Sequence, residues 1–344
     1  MAVERVVVVG AGGISPAWFK PLKAEGVQVA AVVDLRLEQA QKRIAEFELA
    51  GAEASSDMVA MIQKHKPDFV IDLTIPEAHC ETVCKALELG CHVVSEKPMA
   101  SSMKEARKMV SAAEKTGKLY MVSQSRRWDA KHEVVSRVIT GGALGALTTI
   151  NCDFYIGAHF GGFRDHMSHV LLLDMAIHTF DAARLISSAD PVAVYCHEWN
   201  PAGSWYDHDA AAVAIFEMSH GIVYTYRGSW CAEGMNTSWE CDWRIAGTTG
   251  SVKWDGGSGF EAQVIAETGG FFSKWQDVEL PAYEEPLKTG GHAGAIKEFV
   301  RCVQTGDRPE TICSDNIKSL SMVFTAIESA EKGQRVTIKN TEGY

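Results

Sequence analysis

Near its N-terminus the chain reads Val6-Val7-Val8-Val9-Gly10-Ala11-Gly12-Gly13-Ile14-Ser15-Pro16. The valine run, within a strand expected over Val3–Val9, has the uninterrupted β-branched character of a strand covered on both faces. Gly10 permits a tight turn. Gly12 lets backbone approach a pyrophosphate, which then sits on the N-terminus of the next helix. Ser15 is small enough for helix–strand packing, and Pro16 suits a first helical turn. About twenty residues on, a second strand ends in Val32-Val33-Asp34. A carboxylate there hydrogen-bonds ribose hydroxyls and repels a 2′-phosphate. The pattern predicts a dinucleotide site on Gly10, Gly12, Gly13, Ile14, Ser15 and Asp34, with NAD favoured. Arg36 offers a 2′-phosphate a partner, so NADP stays open.

Around this turn, strand and helix patterns alternate. Strands are expected at Val27–Val33, Phe69–Leu73, Cys91–Ser95 and Leu119–Val122, with helices at Ala17–Ala24, Leu37–Leu49, Asp57–His65, Glu77–Leu89 and Met103–Thr116. Such alternation predicts an α/β domain over residues 1–123 with a doubly wound, Rossmann-type parallel sheet. The pattern changes after Ser123, beyond which eight of the nine tryptophans fall. A helix (Lys131–Thr140), a strand (Leu147–Ile156) and a long apolar helix (His169–Ile186) precede strand patterns in series, from Val192–Trp199 to Trp275–Leu280. Two helices, Ala293–Gln304 and Asp315–Glu331, close the chain. Residues 124–344 are therefore expected to form an α+β domain with a large, mostly antiparallel open sheet.

Bulk composition bounds the function. The 344 residues are 46% apolar and 22% charged, and the net charge is −11 with no lysine or arginine run. That argues against nucleic acid or an anionic membrane as partner. No stretch approaches a membrane span. Nine scattered cysteines without Cys-x-x-Cys suit reduced thiols and a cytoplasmic protein rather than a disulfide framework.

Two segments carry chemistry. Glu96-Lys97-Pro98 follows the apolar run Cys91–Ser95. A lysine at the carboxyl end of a parallel strand sits where open α/β sheets bind ligands. Pro98 biases Lys97 toward extended backbone, and a partly desolvated lysine readily exchanges its proton. The segment Leu171–Asp181 is apolar nearly all round except for Asp174, His178 and Asp181. At ~100° per residue those three fall within about 60° of one another. Buried polar stripes are costly unless paired or used. Histidine suits a general base that a carboxylate orients, and a plain core Asp–His pair fits equally. Arg184 offers Asp181 a helix salt bridge. His166 and His169 add ligand-type residues, but His169 and His178 fall on opposed faces of a straight helix. No metal site is read.

Taken together, these motifs resemble the glucose–fructose oxidoreductase / inositol dehydrogenase (Gfo/Idh/MocA) family of NAD(P)-dependent oxidoreductases. The resemblance rests on the glycine turn, Asp34, Thr74-Ile75-Pro76-Glu77-Ala78-His79, Glu96-Lys97-Pro98, Arg126-Arg127-Trp128-Asp129 and Asp174-x-x-x-His178. It implies that Lys97, Asp174 and His178 are catalytic. Thr74, Pro76, His79, Glu96 and Lys97 would lie along the cofactor, as would Arg36. Arg127, His159, Arg164 and His178 would face substrate. It also implies a homodimer or homotetramer through the C-terminal sheet. Glu77, Met175-Ala176-Ile177 and Gly161–His166 depart from the better-known sugar dehydrogenases. The expected reaction is reversible oxidation of a secondary hydroxyl on a sugar, polyol or sugar derivative. A redox-neutral NAD-dependent glycosidase and a dinucleotide-sensing regulator are the alternatives.

Overall fold

The computed structural model describes residues 5–279 and 289–339, which form two compact units. The first comprises residues 5–129 and 289–317, the second residues 130–279 and 318–339. The first residues of the strand expected at Val3–Val9, and the last of that expected at Trp275–Leu280, lie outside the described residues.

In the first unit β1 (Arg5–Val9), α1 (Pro16–Ala24), β2 (Gln28–Val33), α2 (Leu37–Glu46), β3 (Glu53–Ser55), α3 (Met58–His65), β4 (Phe69–Asp72), α4 (Pro76–Glu88), β5 (His92–Ser95), α5 (Met103–Thr116) and β6 (Tyr120–Val122) alternate along the chain. The sheet is parallel, in the order β3-β2-β1-β4-β5-β6. Strand order reverses between β1 and β4, so the crevice for a ligand opens beyond their carboxyl ends. β3, only three residues long, carries too little pattern to be read from sequence.

The second unit contains α6 (Ala130–Thr140), β7 (Leu147–Tyr155), α7 (Ile177–Ser187), β8 (Pro191–Trp199), β9 (Ala211–Met218), β10 (Val223–Ser229), β11 (Asp242–Gly247), β12 (Gly250–Trp254), β13 (Phe260–Glu267) and β14 (Lys274–Asp277). α8 (Gly291–Thr305) belongs to the first unit. α9 (Cys313–Lys332) starts there and ends in the second, before β15 (Val336–Thr337). The second sheet has nine strands in the order β14-β13-β12-β11-β7-β10-β9-β8-β15. Among the described strands of this second sheet only β7 and β10 pair in parallel.

The return of α8 is absent from the sequence reading, which divides the chain once. Packing explains it: Ile296, Phe299 and Val300 join Trp18, Phe19, Phe69 and Trp128 in one buried cluster. Phe69 and Phe299 meet edge-on at 5.4 Å. A Cβ on Gly294 would come within 2.4 Å of the Trp128 Cβ, so the helix approaches as closely as only glycine allows.

The apolar helix expected at His169–Ile186 is not one regular helix. His169 is left-handed (φ 54°), Leu171–Ala176 forms π-type turns, and α7 follows. The 100° spacing behind the single polar stripe therefore does not hold across Asp174.

Candidate active site

Gly10 sits at φ +99°, and a Cβ there would meet the Leu73 carbonyl carbon and oxygen at 2.6 Å. Its amide donates to the Val33 carbonyl at 2.8 Å, joining the turn to β2. Gly12 and Gly13 differ: a Cβ on either would meet nothing within 4 Å. Beneath them, buried Ser15 donates its hydroxyl to the Gly12 carbonyl at 2.8 Å. Arg43 of α2 donates from Nε to the Ala11 carbonyl (3.2 Å) and from Nη2 to that of Gly12 (3.0 Å). Its Nη1 meets Glu46 at 2.6 Å. Sequence reasoning missed Arg43, since nothing local separates it from other helix-surface arginines.

Asp34 accepts the Ala11 amide at 2.8 Å and the Arg36 amide at 2.9 Å. The Arg36 guanidinium stands 3.9 Å from the same carboxylate and is largely exposed. A cleft of about 1410 Å³ is lined by Gly10, Gly12, Asp34, Arg36, Thr74 and Ile75, among others. The open space over Gly12 and Gly13, the helix N-terminus and Asp34 fit a dinucleotide.

At the end of β4, buried Asp72 organises the next candidates. Its Oδ1 accepts the Thr74 hydroxyl (2.6 Å) and amide (3.0 Å), and its Oδ2 pairs with His79 Nδ1 at 2.7 Å. His79, expected along a cofactor, is completely buried. It supports Asp72 and thereby Thr74. Pro76 begins α4, half-buried.

Glu96 is held by partners in a similar way. Its Oε1 accepts Trp18 Nε1 (2.8 Å) and His292 Nε2 (2.7 Å), and its Oε2 accepts the Lys97 amide (3.2 Å). Burial alone would raise this carboxyl. The hydrogen bonds from His292 and Trp18, with the nearby charges of His292 and Lys97, hold it below the ordinary carboxylate value. Glu96 is thus a buried anchor beside Lys97. His292, near the start of α8, was missed because its partner lies 196 residues away. Lys97 is half-buried, and its bond to Pro98 is cis. Arg127, expected on the substrate wall, is buried with its guanidinium 3.8 Å from Glu310 and 3.7 Å from Asp315.

In the second unit, Arg164 and Asp174 come together. Arg164 Nε donates to Asp174 Oδ2 at 2.7 Å and Nη2 reaches Oδ1 at 3.5 Å. His178 is half-buried one turn on. Asp181 points elsewhere: it accepts the Ser319 hydroxyl at 2.6 Å and lies 3.8 Å from Arg184. His159 stacks on Trp205 (3.6 Å between centroids) and meets Glu233 at 2.9 Å. His166 and His169 pair separately with Asp207 and Glu198. No cluster of three metal-ligating side chains occurs among the described residues.

Residues 4–124 match the oxidoreductase family with an NAD-binding Rossmann fold of the Gfo/Idh/MocA type, and residues 132–253 match the Gfo/Idh/MocA C-terminal domain. The chain belongs to that family and is an NAD-binding oxidoreductase. Among curated relatives, it is 24% identical to inositol 2-dehydrogenase 1 of Paenarthrobacter aurescens, over 97% of this chain and 96% of that protein. It is 29% identical to D-glucoside 3-dehydrogenase of Escherichia coli, over 65% and 67% of the two. Among solved structures, an Agrobacterium radiobacter oxidoreductase in complex with NAD+, L-tartaric acid and magnesium shares the fold, with TM-score 0.83 and 21% identity over 98% and 99% of the two chains.

Proposed function

We propose that this protein reversibly oxidises a secondary hydroxyl of a neutral or modified sugar or polyol, with NAD as its cofactor. The open cradle over Gly12 and Gly13, in a chain of this family, carries the reading. The inositol and glucoside dehydrogenases among its relatives support a carbohydrate. The nicotinamide, when bound, accepts a hydride from the carbinol carbon.

The roles of this chain's residues follow from their chemistry. His178 takes the hydroxyl proton on a ring nitrogen as the C–H bond breaks, leaving a ketone. Lys97 is a hydrogen-bond donor of the kind that stabilises a developing alkoxide. Asp174 balances the imidazolium, while Arg164 holds that carboxylate in place. Thr74, set by Asp72, lines the cofactor cleft. The second sheet leaves Tyr195, Ile215 and Val223 exposed on one face, which we take as a self-association surface.

Incubating a panel of sugars, polyols and glycosides with NAD tests the reading. NADH should accumulate without released aglycone. Aglycone without NADH, or no NADH from the whole panel despite intact NAD binding, overturns it.

A further inference from the structure

The segment 157–166, which reaches Asp174 through Arg164, has an unusual surface. Its three basic side chains each face a carboxylate: Arg164 with Asp174 at 2.7 Å, His159 with Glu233 at 2.9 Å and His166 with Asp207 at 2.5 Å. Its aromatic side chains, in contrast, face solvent. Phe160 is 45% exposed and Phe163 68%, and neighbouring Trp239 is 51% exposed.

These rings are held in place by their neighbours. Phe160 meets buried Trp230 edge-on at 5.3 Å and Trp239 at 6.4 Å. Trp230 meets Trp239 at 5.8 Å and Phe154 at 5.2 Å. The Arg164 guanidinium lies 5.0 Å from the Phe160 centroid and 4.8 Å from that of Phe163. The same side chain thus holds both the proposed catalytic carboxylate and the two exposed rings. Fixed, exposed aromatic faces beside a chemical site mark a place where water is displaced by a flat apolar group.

We propose, building on the function proposed above, that the substrate is an uncharged carbohydrate bearing a flat aromatic substituent, an aryl glycoside. The sugar presents its hydroxyl near Asp174 and His178, and the aryl group rests on the shelf formed by Phe160, Phe163 and Trp239. A sugar acid fits poorly, because the guanidinium that would receive its carboxylate is already bound to Asp174.

The test uses the full chain with saturating NAD. It compares phenyl β-D-glucopyranoside, methyl β-D-glucopyranoside and phenyl β-D-glucuronide by NADH formation. The phenyl glucoside should exceed the methyl glucoside in kcat/KM by roughly tenfold or more, as expected for one well-seated aromatic group. The glucuronide should fall well below the phenyl glucoside. Phe163→Ala and Trp239→Ala should each shrink the phenyl-to-methyl ratio, with NAD affinity verifying an intact fold. Equal use of phenyl and methyl glucosides, preference for the glucuronide, or a ratio that survives both substitutions overturns the proposal. If either substitution instead dissociates an oligomer while leaving the ratio intact, the shelf is an interface between copies and the proposal falls. Failure of the underlying reading has its own signature: NAD binds, yet no sugar, polyol or glycoside yields NADH.

Discussion

In the first unit Arg43 lies under the glycine turn and donates to two backbone carbonyls. In the second, Arg164 lies against the helix start and donates to one carboxylate. Arg43 is largely buried and fixes main chain, leaving open space above Gly12. Arg164 is twice as exposed, at 31% of its side chain against 14%, and is flanked by rings that face solvent. One arginine shapes a backbone cradle open to a pyrophosphate. The other joins the proposed catalytic carboxylate to two exposed rings. On the proposed reading, cofactor recognition rests chiefly on backbone geometry and substrate recognition on side chains.

The comparison is broken most directly by Lys97→Met. Turnover should fall by roughly 10²–10⁴-fold, the range for a lost proton-transfer or alkoxide-stabilising group. NAD affinity by titration should stay within about twofold. Near-normal turnover would remove Lys97 from the chemistry.

Within the glycine turn, Gly10→Ala and Gly12→Ala should separate folding from binding. Gly10→Ala forces a Cβ into the Leu73 backbone at a positive φ and should cost about 2–4 kcal/mol in urea unfolding. Gly12→Ala has free space, so it should leave stability within about 0.5 kcal/mol while weakening NAD binding. Equal destabilisation by both would show that the cradle is not open.

The two arginines sharpen the contrast further. Arg43→Ala should weaken NAD binding by roughly tenfold, in line with about 1.5 kcal/mol for lost charge-assisted hydrogen bonds. Arg164→Gln should leave NAD affinity unchanged and lower kcat, with partial recovery in Arg164→Lys. The reverse pattern in calorimetric NAD titrations would exchange their roles.

The smallest effect concerns Glu96. Its folded value lies below the ordinary 4.5, because hydrogen bonds from His292 and Trp18 offset the burial that would raise it. The stability it contributes is present above about pH 4.5 and is lost as pH falls through the depressed folded value. Glu96→Gln should therefore melt below wild type at pH 7, with the gap closing under pH 4.5. A gap independent of pH would mean that the Glu96 charge contributes nothing.

What could be read in advance divides along similar lines. The glycine turn, Asp34 and Glu96-Lys97-Pro98 were legible because each is a short run whose spacing carries its geometry. Arg43, His292 and the Arg164–Asp174 pair were not, because each takes its meaning from a partner 10 to 196 residues away. Glu96, His79 and Arg127 were legible as residues of interest but not in their surroundings. Each is buried among side chains brought from elsewhere in the first unit. The stripe of Asp174, His178 and Asp181 failed for a local reason: π-type turns change the angular spacing that an α-helix would impose.

By itself, the order of residues determined the parallel α/β first unit, the mostly antiparallel second sheet and the dinucleotide turn. Periodicity and glycine placement act over a few residues and survive without tertiary context. Only the tertiary structure decided that α8 returns to the first unit, that Glu96 is an anchor, and that Arg164 is bound to Asp174 beneath an aromatic shelf. Those outcomes depend on which distant side chains share a buried volume, and no local pattern records that.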